Sequence, residues 1–136
     1  MSETAWAHLP NAAAVDEILA DVRTRLKVWR RVSDTVWGDA WGVASETAWE
    51  SAKRTIVCTA RSAVWDELWE TMWDAAKGTT RSTAWIAISA LVAWDSSAAL
   101  LALTPDALRT IIDTCDGDVK HQAVLLLPAV IARSTV

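Results

Sequence analysis

The chain has 136 residues, of which 52% are hydrophobic and 22% are charged; tryptophan occurs 10 times, whereas Phe and Tyr are absent. This length and composition predict one folded domain and exclude a disordered or collagen-like chain. The net charge of −4 excludes the basic surface that binding to nucleic acid or to an anionic membrane requires. We therefore expect a single all-α domain over residues 1–136, with residues 1–10 as an N-terminal extension, and neither nucleic acid nor membrane as a partner.

Hydrophobic spacing predicts the first helix directly after Asn11, a residue type that caps helix N-termini. A second helix is expected to begin at Ser33 or Asp34. The apolar face of the first helix contains Val15, Ile18, Leu19, Val22, Leu26 and Trp29.

The third predicted helix is amphipathic. It is capped near Ser62 and ends at Gly78, a residue type that favours helix C-termini. Because neither Gly nor Pro lies between Cys58 and Arg61, the sequence leaves open whether the second and third helices are separate or form one bent rod. The apolar half of the third helix contains Val64, Trp65, Leu68, Trp69, Met72 and Ala76, and the opposite half contains Asp66, Glu67, Glu70 and Asp74.

The fourth predicted helix starts near Thr83 and is apolar on every side as far as Trp94. Such a helix is typical of the centre of a bundle. The alternative is a membrane span over residues 84–103, but Asp95 near its midpoint disfavours insertion by about 2.5 to 3.5 kcal/mol. We therefore expect this helix to be central, and we expect a core that includes Trp65, Leu68, Trp69, Ile88, Leu91 and Val92.

Two further helices complete the predicted fold. Thr104 caps one of them, with Pro105 in the first position and Asp106 in the first turn. Asp118 caps the last helix, which Pro128 is expected to kink or break. The sequence thus predicts a compact bundle of five to six helices around a buried central helix.

The polar residues do not form a recognisable catalytic motif. His8 and His121 lie far apart in the chain, and neither is close in sequence to a nucleophile. The segment from Asp113 to His121 is rich in metal-ligating residue types, but its spacing does not match an EF-hand, and helix ends explain it. We therefore expect no enzymatic activity, no metal and no cofactor.

Cys58 and Cys115 lie in apolar stretches without CxxC spacing. We expect both to be buried free thiols in a reducing compartment. The first residues also lack the basic segment and apolar core of a secretory signal. Together these features predict a cytoplasmic protein.

Two segments of the chain resemble each other. Residues 41–53 (WGVASETAWESAK) align with residues 65–77 (WDELWETMWDAAK), so that both Trp positions, one Glu, one Thr and one Lys coincide. The match does not extend to a third copy, which argues against a solenoid. We expect two matched helices that pack as a pair.

The edges of these helices supply the first candidate site. Trp49 and Trp73 occupy equivalent places in the two copies and lie toward the polar edge, where an indole suits a binding interface. The carboxylates of Asp66, Glu70 and Asp74 form an acidic face beside them. These five residues are the candidate partner-binding site, and the surplus of apolar surface predicts a homodimer.

A second candidate site combines arginine with tryptophan. Arg61 with Trp65, and Arg81 with Trp85, are spaced i, i+4. A guanidinium beside an indole is able to hold a phosphate and stack on a base. These four residues form a candidate pocket for a nucleotide-like ligand.

The repeated WESAK and WDAAK strings and the segment LLLPAVIARS resemble small Ala/Trp-repeat proteins that phages and mobile elements of high-GC bacteria encode. The resemblance implies an accessory protein that binds a host component or a signalling molecule, and it implies no site residues. We expect a non-enzymatic binding or inhibitor protein that acts through a Trp-edged acidic helical surface. The alternatives are a protein that sequesters a nucleotide-like small molecule and a virion structural or assembly component.

Overall fold

The computed structural model describes residues 6–36, 39–76 and 79–135. Within these ranges the chain is helical and contains no strand, so the all-α prediction is confirmed. It forms seven α-helices and one 3-10 helix, rather than the five to six helices expected. They are α1 (Ala12–Thr24), α2 (Leu26–Val36), α3 (Asp39–Cys58), α4 (Ser62–Ala75), α5 (Thr79–Ala93), the 3-10 helix (Ser97–Ala102), α6 (Pro105–Thr114) and α7 (Asp118–Ser134).

The first predicted helix is divided at Arg25, which leaves the helical conformation at φ −130° and ψ 45°. The Arg25 guanidinium pairs with the Asp21 carboxylate at 2.6 Å and donates to the backbone carbonyls of Ala132 and Thr135 at the end of α7. Trp29 Nε1 donates to the same carboxylate at 2.8 Å. This hydrogen-bond network ties the α1–α2 junction to α7, which is a long-range contact that hydrophobic spacing does not reveal.

The network also changes the acidity of Asp21. Partial burial of the carboxylate would raise its pKa, but hydrogen bonds from Arg25 and Trp29, together with the positive charge of Arg25, outweigh that effect. The pKa of Asp21 therefore lies below its ordinary value. The ionised form of Asp21 is the one that the fold stabilises.

The chain between α3 and α4 contains a sharp reversal centred on Ala60. This residue adopts a left-handed φ of 58°, while Arg61 N donates to Ile56 O at 3.0 Å and Ala60 N donates to Val57 O at 3.1 Å. These two hydrogen bonds form a Schellman motif, in which glycine is the usual residue at the left-handed position. The second and third predicted helices are therefore separate. The sequence did not reveal this helix end, because Ala60 occupies the position at which glycine is usual.

Helix α5 is the centre of the fold, as predicted: every residue from Thr83 to Trp94 is buried, and α5 contacts α1, α2, α3, α4 and α7. The Asn11 side chain occupies the position before α1, but instead of capping that helix it donates to the carbonyls of Leu91 and Trp94 at 2.9 Å each. Asn11 thus satisfies acceptors at the end of α5.

Helix α7 is the second buried helix of the core. All residues from Gln122 to Val130 are buried, and α7 contacts α2, α3, α5 and α6. Pro128 was expected to kink or break this helix; it does not break it, because α7 continues through Pro128 to Ser134. The Thr104 cap of α6 is confirmed, since Thr104 Oγ1 accepts a hydrogen bond from Ala107 N at 3.1 Å.

Several burial predictions are settled by the structure. Four of the six core residues are fully buried, whereas Trp65 is half-buried and Trp69 is 38% exposed, so the prediction for Trp69 is wrong. Cys58 is exposed and Cys115 is half-buried, so the expectation of two buried thiols is wrong. Trp69 lies outside the core because it is four residues after the half-buried Trp65, and each i, i+4 step moves a side chain by about 40° around the helix axis. The four confirmed core residues are Leu68, Ile88, Leu91 and Val92.

Residues 6–10 pack against the helices, since Trp6 and Leu9 are buried and Trp6 Nε1 donates to Asp16 at 2.8 Å. The predicted helix end at Gly78 lies outside the described residues. No helix in the described ranges has the length and apolarity needed to cross a membrane.

Candidate tryptophan groove

Five tryptophans from three helices form one aromatic cluster. Trp65 stacks on Trp85 with ring centres 5.1 Å apart and planes inclined by 16°. Trp69 meets Trp85 edge-on at 5.0 Å, and Trp49 meets Trp65 at 5.5 Å and Trp85 at 6.3 Å. Trp69 also contacts Trp73 at 5.6 Å. The two indoles proposed from the repeat, Trp49 and Trp73, therefore lie at opposite ends of one continuous aromatic surface.

Hydrogen bonds fix the inner part of this cluster. Trp65 Nε1 donates to Ser89 Oγ at 2.9 Å, and Ser89 Oγ donates to the carbonyl of Trp85 at 2.7 Å. Because Trp85 belongs to the buried helix α5, the stacked pair is attached to the centre of the fold. The inner rings are thus held in place before any ligand arrives, which reduces the entropic cost of binding.

A groove of about 400 Å³ opens beside this cluster, between α3, α4 and α5. Small residues of α3 and α5 leave the space that the indoles surround, and a Cβ added at Gly42 would meet no atom within 4 Å. The lining consists of Gly42, Ser45, Glu46 and Trp49 from α3, Trp69 from α4, and Ser82, Trp85 and Ile86 from α5. We call this feature the tryptophan groove.

The chemistry of the tryptophan groove is largely apolar, and among the described residues that line it Glu46 is the one with a charge. The indole N–H groups of Trp49, Trp69 and Trp85 meet no acceptor in the described part of the chain. Ser45 Oγ donates to Gly42 O at 3.0 Å, so its lone pairs remain able to accept. An apolar concavity with a few polar groups is the usual form of a ligand site.

The outer surface of α4 lies beside the groove and carries the acidic face predicted from the sequence. Asp66, Glu70 and Asp74 are exposed together with Glu67, and no ion pair joins these carboxylates to a cation in the described ranges. Trp73 is 49% exposed at the edge of this face. We call Trp73 and the four carboxylates the acidic α4 surface.

The two predicted Arg–Trp pairs are arranged differently from the expectation. Arg61 donates to Val92 O at 2.8 Å and pairs with Asp95 at 2.6 Å, which places its guanidinium at the carboxyl end of α5. Arg81 lies over Trp73, with 3.3 Å between the guanidinium carbon and the ring centre. The indoles of those pairs, Trp65 and Trp85, stack on each other, and neither arginine lines the tryptophan groove.

Several groove residues were not predicted from the sequence, most of all Trp69, which was assigned to the core. A signal was present, because each i, i+4 step advances by about 40° around the helix axis, which places Trp73 about 80° from Trp65 and carries the row of indoles toward the edge of the apolar face. Gly42, Ser45 and Glu46 gave no comparable signal, since small and acidic residues on a helix are ordinary features. Only their position opposite Trp85 makes them part of a site.

Within the described residues, no three His, Cys, Asp or Glu side chains come together as a metal site would require. No protein family model matches the chain, and neither a curated protein sequence nor a solved structure is similar to it. The resemblance to small phage proteins therefore stays a prediction.

Proposed function

We propose that this protein is a non-enzymatic binding protein, of the accessory or inhibitor type, that holds a basic protein segment on the acidic α4 surface. The observation that supports this proposal most directly is the position of Trp73. Its indole is half exposed, although a large aromatic ring gains most from burial. An exposed indole beside unpaired carboxylates is an arrangement in which a partner gains both apolar and electrostatic contacts.

The order of side chains around α4 supports the same function. Around the helix axis, the buried Leu68 is followed by Trp69, then Trp73, and then by Asp66 and Glu70. The surface of α4 thus changes from the core to the exposed indoles and then to the carboxylates. A partner segment that presents an apolar residue next to a Lys or Arg would contact the exposed indoles and pair with the carboxylates at the same time.

Arg81 illustrates the interaction that the partner would make. Its guanidinium lies 3.3 Å from the centre of the Trp73 ring, which is a close cation–π contact. One face of this indole is therefore already suited to a guanidinium. The unpaired carboxylates would also attract a basic partner over a distance of about 10 Å and raise the association rate.

The alternative of a nucleotide-sequestering protein has less support. The predicted pocket relied on a guanidinium to hold the phosphate, but Arg61 is engaged by Val92 O and Asp95, and Arg81 lies on Trp73 outside the groove lining. A role in virion assembly has no particular geometric feature in its favour. The cytoplasmic location and the homodimer stay proposals, and the exposed Val43 and Val57 of α3 are the apolar residues that a dimer interface would use.

The experiment compares matched variants in partner binding. Capture from a bacterial lysate would identify a partner, and titration of that purified partner would measure the affinity. We expect Trp73→Ala to weaken binding by about 2 kcal/mol or more, as hot-spot residues do. The double variant Asp66→Asn/Glu70→Gln should weaken binding and reduce its dependence on salt.

The matched control is Asp113→Asn/Asp116→Asn, which removes the same charge from exposed positions at the end of α6. If the control weakened binding as much as the α4 variant, net charge rather than the acidic α4 surface would account for the interaction. Unchanged binding by Trp73→Ala would remove the proposal.

A further inference from the structure

We propose that the tryptophan groove is a binding site for a quaternary ammonium ion, carried by a small organic cation. This ligand goes beyond the proposed function, because the groove and the acidic α4 surface are different places that adjoin at Trp69. Three properties of the groove favour such a ligand: its charge, its hydrogen-bonding capacity and its size.

The charge of the lining favours a cation. Trp49, Trp69 and Trp85 all contribute to the groove, and Trp49 and Trp69 are inclined to Trp85 by 61° and 73°. Rings at such angles present electron-rich faces from more than one direction, which is how aromatic cages hold cations. Glu46 adds a carboxylate, and no Lys or Arg of the described ranges lines the groove to oppose a positive ligand. The same lining disfavours phosphate and other anions.

Hydrogen-bonding capacity distinguishes among cations. A primary ammonium brings three N–H donors and a guanidinium brings five, and each needs an acceptor when it leaves water. The indoles of the groove offer donors only. The acceptors in the lining side chains belong to Glu46, Ser45 and Ser82. A quaternary ammonium has no N–H group, and its methyl groups pack on indole faces without loss of hydrogen bonds.

The size of the groove fits a small molecule. Its volume of about 400 Å³ lies within the range of roughly 300 to 1,000 Å³ that is usual for such sites. Trp85 provides a rigid wall of the groove, because Trp65 stacks on it from behind and Ser89 joins the two residues by hydrogen bonds. A head group such as that of choline therefore fits a site that is formed in advance.

The test uses choline and tetramethylammonium as probes, with isothermal titration and tryptophan fluorescence at constant ionic strength. The matched control ligand is 3,3-dimethylbutanol, which has the shape of choline without its charge. We expect both cations to bind and to change the fluorescence, and we expect the neutral alcohol to bind at least about tenfold more weakly. Equal binding of the alcohol would overturn the proposal, since it would make the groove a site for apolar groups in general.

Variants then locate the binding. Gly42→Leu fills the groove from a helical position where an added Cβ meets open space, so the fold is expected to be retained. We expect Gly42→Leu to abolish choline binding and Glu46→Gln to weaken it by about threefold or more. Glu50→Gln, on the same helix but outside the groove lining, should change it by less than twofold. Unchanged affinity in Gly42→Leu would overturn the assignment of the site.

Trp73→Ala separates this proposal from the proposed function. Trp73 lies outside the groove lining. The Trp73→Ala variant should therefore keep its affinity for choline while it loses its affinity for the protein partner. Failure of both cations to bind the wild-type protein would overturn the quaternary ammonium site and would leave the partner titration to decide the proposed function. Binding of a trimethyl-lysine peptide without binding of choline would likewise overturn the small-cation proposal and assign the groove to a modified protein.

Discussion

The two copies of the internal repeat have nearly the same spacing and very different burial. In the α3 copy, Ser45 is buried and Trp49 is half-buried. The equivalent residues of the α4 copy, Trp69 and Trp73, are 38% and 49% exposed. The difference shows that the pattern determines which side of a helix faces inward, but not how deeply the helix is buried.

The neighbours of each helix explain the difference. Helix α3 packs mainly on α7 and α5, which are the two most buried helices, whereas α4 packs on α5 and α1 at the edge of the bundle. The core positions of α3 hold small residues, such as Ala48, that allow helices to approach closely, while the equivalent position of α4 holds Met72. The repeated helices were expected to pack as a pair, but most contacts of each one are to other helices.

The largest expected effect on stability comes from substitutions at the equivalent core positions Ala48 and Met72, both of which are completely buried. Met72→Ala places in α4 the alanine that α3 has at the equivalent position. We expect this substitution to lower the free energy of unfolding by about 2 to 5 kcal/mol because it leaves a cavity. Ala48→Met should cost about 1 to 3 kcal/mol through overpacking. Urea denaturation measures both changes, and a loss below about 0.5 kcal/mol for Met72→Ala would contradict the assigned packing of α4.

A second prediction concerns the ion pair that links α1 to α7, the helices on which the two copies of the repeat pack. The Asp21–Arg25 pair ties α1, on which α4 packs, to α7, on which α3 packs. Because the folded-state pKa of Asp21 lies below its unfolded value, the unfolded state takes up the proton first as pH falls. The contribution of Asp21 to stability is therefore present above the unfolded pKa of about 3.9 and is lost as pH falls through the folded pKa.

Asp21→Asn tests this link directly. We expect it to lower the free energy of unfolding at pH 7 by about 1.5 to 3 kcal/mol, since hydrogen bonds to a charged group are lost. It should also flatten the dependence of stability on pH between pH 5 and the acid limit of folding. Denaturation curves at several pH values decide the matter, and a variant with the wild-type pH profile would show that Asp21 has no such role.

The smallest expected effect, and the sharpest test of the comparison, comes from the equivalent tryptophans. Trp49 contacts two other rings, so Trp49→Ala should cost about 1 to 3 kcal/mol, on the basis of roughly 0.5 to 1.5 kcal/mol for each aromatic pair. Trp73→Ala loses one aromatic pair, with Trp69, and the partly exposed contact with Arg81, so it should cost less, about 1 kcal/mol. Equal losses in thermal or urea unfolding would mean that the two copies are buried alike.

The sequence predicted the fold wherever the signal was local. The apolar stretch from Thr83 to Trp94 identified the central helix, and Thr104 with Pro105 identified the start of α6. The boundary at Ala60 was hidden, because a left-handed alanine costs only about 1 to 2 kcal/mol and its surroundings can offset that cost. The division at Arg25 depends on carbonyls of α7 more than a hundred residues away.

The candidate site was predictable only in part, for the same reason. The helical wheel of a single helix places Trp73 next to its acidic neighbours, so the acidic α4 surface could be predicted from the sequence. The tryptophan groove depends on three helices meeting, and its lining includes Gly42 and Ser82, which gave no individual signal. Arg61 and Arg81 were placed beside the wrong partners because the i, i+4 rule considers one helix and ignores competing contacts from others.

The burial of α7 has a consequence for how the chain folds during synthesis. This helix contacts most of the others, and it is made after all of them. The apolar faces of α2, α3, α5 and α6 that α7 covers therefore stay uncovered until α7 has been synthesised. Contacts between residues so distant in sequence slow folding, and exposed apolar faces attract chaperones and other nascent chains. Expression at a reduced temperature, with chaperone supply, should therefore increase the yield of folded protein.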